Sequence, residues 1–253
     1  MSCSIPLRTK VGILIVALVV GAGLLKTRAA TIPELWPAAL VPLATDALDA
    51  RCTALDAVKL PANLRCAAQF QKTVFQIVSG VTATAWRPTL ETLAKSAENE
   101  SVREAARIWL ARTQMKEIDA VLKRYYVKKV CFPGTLAELG AAVPEQIQND
   151  PWGEPWAYSL RAPRGMGKLK DQRYQLGPKR FPDLMTQKRP PVPAFTKVTV
   201  SQIGSDKTLT LESATGRAAI QPGGVAAGAT LLHIGENWAL LATRDQLFAV
   251  TFK

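Results

Sequence analysis

The sequence predicts an α+β protein with an N-terminal membrane helix, a helical region, a long helix with a small antiparallel sheet, and a small all-β barrel or sandwich. Three observations predict this architecture: an uncharged apolar run at 11–25, an amphipathic helix pattern beginning near residue 101, and short β-rich runs after residue 196. We expect five segments: 1–30 (membrane anchor or signal), 31–97 (helical), 98–187 (helix plus sheet), 188–195 (proline-rich linker) and 196–253 (all-β).

The N-terminal apolar run determines the predicted compartment. Arg8 and Lys10 precede residues 11–25, and Lys26 and Arg28 follow them. The run is shorter than the roughly 20 residues of a full span, which favours a cleaved signal. The lysine and arginine side chains that flank the run can extend to the membrane interface, so a short uncleaved anchor is also possible in physical terms. The uncleaved anchor is our preferred interpretation. A buried soluble helix is the third alternative. Either of the first two exports the rest of the chain.

Export permits disulfides, and the cysteine spacing offers one. Cys52 and Cys66 flank a break at 60–63, which suits two antiparallel helices joined near their ends. The alternative is a pair of ordinary buried thiols. Cys131 is left over, and no CxxC or Cys/His spacing indicates a metal site.

Residues 31–97 contain five prolines among alanine, leucine and valine, which predicts several short helices. A stronger helix of about 26 residues follows the capping-box pattern at Ser101. Its apolar stripe consists of Ile108, Met115, Ile118, Leu122 and Tyr125. Pro133-Gly134 ends it, residues 135–139 predict one more helical turn, and 149–156 form a dense turn signal.

Short strands account for the rest of the chain. Residues 156–160 and 173–177 are predicted to form a strand pair. Beyond the linker, six β-rich runs alternate with turn residues, which predicts a small barrel or sandwich. These runs are 197–203, 208–212, 217–221, 230–234, 238–243 and 247–252.

The formal charge is +12, and basic residues are concentrated between positions 161 and 190. This stretch is either a solvated loop or a contact surface for anionic lipid or an acidic partner. Nucleic acid is not expected, because Tyr174 and Phe181 are too few aromatics for base stacking. The candidate surface consists of Arg161, Arg164, Lys168, Lys170, Arg173, Lys179 and Arg180.

The sequence contains no recognisable catalytic constellation. His233 is the single histidine and lies within a predicted strand, so no histidine metal cluster can be assembled, and no Ser/His/Asp triad has a convincing aspartate partner. The glycines at 165 and 167 lack the phosphate-loop frame. We therefore predict no enzyme activity, no cofactor and no metal. Trp152, Trp156 and Tyr158 are either a hairpin core or a recognition platform.

One order of motifs is shared with a known family. A helix ending at Tyr125 precedes Phe-Pro-Gly-Thr at 132–135, then Asp-Pro-Trp-Gly at 150–153, then Tyr-Gln-Leu-Gly-Pro at 174–178. In this order residues 104–180 resemble the major pseudopilin of type II secretion systems, which implies a helix carrying a small antiparallel sheet. The family's cleaved leader and conserved N-terminal helix start are missing, so assembly into a pseudopilus is not expected. Lys179-Arg180 stand where the family often has acidic calcium ligands, and Asp183 alone cannot hold calcium.

The C-terminal part shows a second likeness. The residues that carry it are Val198, Val200 and Ile203, then Gly216-Arg217, Gly223-Gly224 and Leu-His-Ile at 232–234. With these residues the C-terminal part resembles the clamp-protein homology region of type II secretion and the inner-membrane lipoproteins of type IV pili. The resemblances imply a non-catalytic scaffold or coupling component in the cell inner membrane, anchored through residues 11–25 with its body in the periplasm. Its expected partners are other secretion or pilus subunits. The alternative is a free-standing envelope binding protein for a carbohydrate or wall polymer.

Overall fold

A computed structural model of the chain describes residues 30–161, 172–186 and 191–252, and the predicted membrane segment at 11–25 lies outside them. These residues form an α+β structure in which a helical region precedes antiparallel sheets, as predicted. The helices are α1 (Ile32–Leu35), α2 (Thr45–Ala57), α3 (Arg65–Val78), α4 (Ala83–Ser96) and α5 (Glu100–Lys129), with 3₁₀ turns at Ala62–Leu64, Leu136–Ala142 and Glu145–Ile147. The strands are β1 (Ala157–Arg161), β2 (Arg173–Gly177), β3 (Phe195–Ile203), β4 (Asp206–Ser213), β5 (Gly216–Ile220), β6 (Val225–Ala226), β7 (Ala229–Ile234), β8 (Trp238–Ala242) and β9 (Leu247–Thr251).

Helix α5 is the longest element of the described chain, and at 1.5 Å per residue it extends about 45 Å. Its N-cap is Asn99, whose side chain accepts the N–H of Val102 at 3.2 Å. The capping box predicted at Ser101 is therefore wrong by two positions, because Asn99 already supplies the acceptor that the first turn needs. The helix ends at Val130, which has a left-handed φ of 59°.

Two hydrophobic cores lie along α5. Its first half, including Val102 and Trp109, packs with the faces of α2, α3 and α4. The predicted stripe belongs to the second core: Ile108, Met115, Ile118 and Leu122 are buried and Tyr125 packs beside them. This core is completed by the 3₁₀ turns Leu136–Ala142 and Glu145–Ile147, by the β1–β2 pair and by Leu184. The helix therefore connects two units that each bury a different face of it.

All six β-rich runs predicted after the linker are strands, but they form no barrel in the described residues. They make a three-stranded sheet, β3-β4-β5, and a separate four-stranded sheet, β6-β7-β8-β9. The facing sides of the two sheets share one core that includes Leu209, Leu231 and Phe248. The barrel alternative is wrong, because the strands β3-β4-β5 and β6-β7-β8-β9 form two separate open sheets and do not close into one. Strand β8 is buried at all five positions, so both faces of its sheet are covered.

The second face of the four-stranded sheet packs on the helical region. Leu232, Trp238, Leu240 and Leu247 belong to the same core as α2, α3 and α4. The indole of Trp36, directly after α1, stacks on Trp238 with ring centroids 5.7 Å apart. The N–H of Ala249 in β9 also donates to the carbonyl oxygen of Trp36 at 2.8 Å. The predicted segment boundaries stay a prediction, but the β segment shares a core with the helices.

Candidate interaction surfaces

The turn at 150–154 is organised by Asp150, which is 4% exposed. One carboxylate oxygen accepts the N–H groups of Trp152 and Glu154 at 2.9 and 3.0 Å. The N–H of Gly153 donates to the carbonyl oxygen of Asp150 at 2.8 Å, and Gly153 has a left-handed φ of 84° that favours glycine. Asp150 is therefore the side-chain cap of this turn. This turn directs the chain into β1.

The aromatic residues of this region pack inward. Trp156 is 7% exposed, and its indole N–H donates to the carbonyl oxygen of Ile147 at 2.9 Å. Trp152 is half-buried, and its indole N–H donates to the carboxylate of Glu104 at 3.1 Å. Tyr158 donates its hydroxyl to the carbonyl oxygen of Pro133 at 2.8 Å. A carbohydrate platform needs exposed ring faces, and the burial of Trp156 takes that ring out of any such platform.

A ladder of rings fixes the β1–β2 pair to the end of α5. Phe132 lies between Tyr126 and Tyr174, with ring centroids 4.7 and 4.8 Å away. Tyr174 donates its hydroxyl to the carboxylate of Asp119 in α5. Burial, followed by the hydrogen bond to Asp119, raises the pKa of Tyr174 well above its ordinary value. Burial also raises the pKa of Tyr158 to about 12, so both phenols stay protonated at physiological pH.

The structure divides the predicted basic surface. Arg161 and Arg173 are register partners at one end of the β1–β2 pair, whereas Lys179 and Arg180 follow the other end of β2. Four intervals at about 3.4 Å per residue separate Arg173 from Gly177, so the two groups lie more than about 13 Å apart along the strand. Arg164, Lys168 and Lys170 lie outside the described residues.

Two of the predicted basic residues have an acidic partner. Lys179 and Arg180 lie 3.4 and 3.9 Å from the carboxylate of Glu154, with 74% and 55% of their side chains exposed. Exposed pairs of this kind contribute at most about 1 kcal/mol. Asp183 is engaged separately, since it accepts the side-chain amide of Gln175 at 2.6 Å. Glu154 thus neutralises part of the charge that the sequence assigned to this end of the surface.

The cysteines are free thiols in the structure. Cys52 lies in α2 and Cys66 begins α3, on two helices joined across the predicted break, and both are half-buried beside the first core. Burial raises the pKa of Cys52, and the ammonium of Lys72 works in the opposite direction. The Cys52–Cys66 disulfide is not formed in the structure and stays a prediction.

His233 is half-buried in β7, with its ring set edge-on against Trp238 at a centroid distance of 5.4 Å. Burial lowers its pKa, and the charge of Lys207 acts in the same direction. Glu236 and Lys59 lie with His233 along an open, largely apolar groove beside Ala30. Across the described part of the chain no three His, Cys, Asp or Glu side chains converge as a metal-binding group.

One polar junction was missed by the sequence analysis. Asp245, in the β8–β9 turn and 1% exposed, forms an ion pair with Arg112 of α5 at 3.2 Å. The same guanidinium donates to the carbonyl oxygen of Leu184 at 3.2 Å, and the Trp109 indole donates to the carbonyl oxygen of Asp245 at 2.7 Å. Arg112 therefore joins both cores. It also lines a cleft of 460 Å³ together with Ile77, Trp109, Lys116 and Met185. The sequence signal was weak: Arg244-Asp245 has the composition of an ordinary turn.

The three-stranded sheet leaves one strand with a single neighbour. Among the residues that the structure describes, β3 pairs only with β4, and β5 lies on the far side of β4. Phe195, Val198 and Val200 pack on the core between the sheets, while Thr199 and Ser201 are exposed. Ile203, at the end of the β3–β4 hairpin, is 84% exposed. The outer backbone edge of β3 is thus available for pairing with another strand.

No helix within the described ranges is both long and apolar enough to cross a bilayer. Comparisons with protein-family models, with curated proteins and with solved structures found no match.

Proposed function

We propose that the protein is a non-catalytic scaffold or coupling component of a type II secretion or type IV pilus-like export machine, acting at the inner membrane and in the periplasm. It would act by docking other subunits. The apolar run at 11–25 supplies the predicted anchor, and the net charge of +12 suits acidic partners.

One observation carries the proposal. The β1–β2 pair and the Asp150 turn pack on the second half of α5, in the chain order that the pseudopilin resemblance implies. Tyr158 reaches the carbonyl oxygen of Pro133 and Trp156 is buried against the same helix-side core, so the shared motif residues are the packing residues. The proposal is supported by the fact that the residues carrying the resemblance lie in one shared core.

The docking mechanism follows from the edge of β3. A partner strand can add to its backbone edge, with main-chain hydrogen bonds supplying affinity and alternate side chains supplying specificity. The exposed side chains Thr199 and Ser201 flank that edge, and the apolar Ile203 stands at its end. Such a strand would extend the three-stranded sheet without disturbing the core between the sheets.

The test is site-specific photocrosslinking of the full-length protein in native membranes. A photoreactive amino acid is placed at Ser201 or Ile203, and at Thr215 as the control, because the β4–β5 turn lies at the opposite end of the same sheet. Captured proteins are identified by mass spectrometry. We expect secretion or pilus subunits at 201 and 203 and none at 215.

Point positions are preferable to deleting the β segment, since residues of β7, β8 and β9 complete the helical core and their loss would unfold it. The proposal fails if no secretion or pilus component is captured at either β3 position, or if the Thr215 control captures the same subunits equally well.

A further inference from the structure

The C-terminal end of α5 presents an exposed surface that is both basic and apolar. Val127 is 80% exposed and Val130 is 58% exposed. Every cation around them is exposed as well. We call this surface the α5 basic end; it consists of Lys123, Arg124, Val127, Lys128, Lys129 and Val130.

Helix stability does not account for this combination. Cations in a last turn complement the helix dipole, but Lys123 and Arg124 lie before that turn, and the dipole does not favour two exposed valines. Val130 is also a β-branched residue held at φ 59°, a strained conformation that tends to occur at functional sites. Lys123 pairs with Asp119 at 2.7 Å, and among the described residues no carboxylate pairs with Arg124, Lys128 or Lys129.

The start of β2 lies against the end of α5. The N–H of Phe132 donates to the side-chain oxygen of Gln172 at 3.0 Å, and the ring of Phe132 contacts Tyr174. Arg173 stands between these two residues, and successive side chains of a strand point to opposite faces, so Arg173 is not part of the α5 basic end.

We propose that the α5 basic end binds the surface of an anionic phospholipid bilayer. The observed combination is two exposed valines surrounded by exposed lysine and arginine side chains, which complements a surface that is apolar within and negatively charged outside. Aliphatic side chains flanked by lysine and arginine can enter the headgroup layer while the cations stay at the phosphates. The inference does not depend on the proposed function and is additional to the predicted segment at 11–25.

The experiment uses the full-length chain reconstituted in phosphatidylcholine nanodiscs, so that the predicted membrane segment is already accommodated. The discs are mixed with larger vesicles of either pure phosphatidylcholine or 30% phosphatidylglycerol, and binding is measured by co-sedimentation. We expect binding to the anionic vesicles only, weakened about 30-fold by Lys128→Gln/Lys129→Gln and about threefold by Val127→Ser. The control variant Lys59→Gln/Lys95→Gln removes two exposed lysines elsewhere and should bind like wild type.

Three outcomes would overturn the inference. Equal sedimentation with both vesicle types excludes an anionic site, and no sedimentation with either would leave an acidic protein as the partner. Equal weakening by the control variant would show that only the total charge matters. All of the substituted side chains are exposed, and circular dichroism of each variant verifies that the fold is retained.

Discussion

The buried ion pair between Arg112 and Asp245 allows a quantitative test of how the two cores are connected. The Asp245 side chain is 1% exposed and that of Arg112 17% exposed. Asp245→Ala leaves the guanidinium partly buried without its carboxylate, and breaking a buried pair in this way costs about 3–5 kcal/mol. Since a domain is typically stable by about 5–15 kcal/mol, the loss should be a large fraction of the total.

Urea unfolding of the full-length protein in mild detergent, followed by tryptophan fluorescence, measures this loss. With a denaturant slope of about 2 kcal/mol per molar, the midpoint should fall by about 2 M. The matched control is Glu100→Ala, because Glu100 pairs with Arg103 on the same helix but its side chain is 67% exposed, so the expected loss is below about 1 kcal/mol. Equal, small losses for both variants would refute the view that Asp245 holds the cores together.

Three further predictions concern the periphery of the two cores. Gly177→Ala places a Cβ 2.5 Å from the backbone oxygen of Pro182, so this variant should lose about 1–3 kcal/mol of stability in urea melts. The control Gly134→Ala should lose little, because the nearest neighbour of its Cβ is a flexible carboxylate. Equal losses for the two variants would contradict this prediction. Asp150→Ala should cost about 1–3 kcal/mol of stability, whereas Asp150→Asn should cost much less, because the amide oxygen can still accept both N–H groups. Equal thermal midpoints for the two variants would argue against the role of Asp150 as the cap of its turn. Burial depresses the pKa of His233, so below pH 6.5 the unfolded chain binds a proton before the folded chain does. The free energy of unfolding should therefore fall as the pH drops from 6.5 towards the folded pKa. His233→Gln should remove this part of the pH dependence of stability.

Local periodicity predicted the elements that depend on one face of a helix or on short turns. The stripe from Ile108 to Tyr125 repeats at helical spacing, so its burial followed from the sequence alone. The strand predicted at 173–177 is confirmed, and its last residue is Gly177, which Pro178 follows. Such signals are contained within a few residues of one another, and sequence reasoning captures them.

The missed features depend on residues far apart in the chain. The ion pair of Arg112 and Asp245 spans 133 positions and has no local signature. The second buried face of α5 carries Val102, Ala105 and Trp109, which also lie at helical spacing. Only a single apolar stripe was predicted for this helix, so the second face was missed. The uninterrupted apolar run at 238–242 indicates a strand covered on both faces, but the helices that cover its second face lie far away in the chain.

The contact between the beginning and the end of the described chain has a consequence for biogenesis. The side-chain amide of Gln246 donates to the carbonyl oxygen of Pro37 at 2.8 Å, across 209 positions. The first helices cannot complete their core until β7, β8 and β9 have been synthesised, so nascent intermediates should expose apolar surface until then. Such intermediates are the species in which aggregation competes with folding.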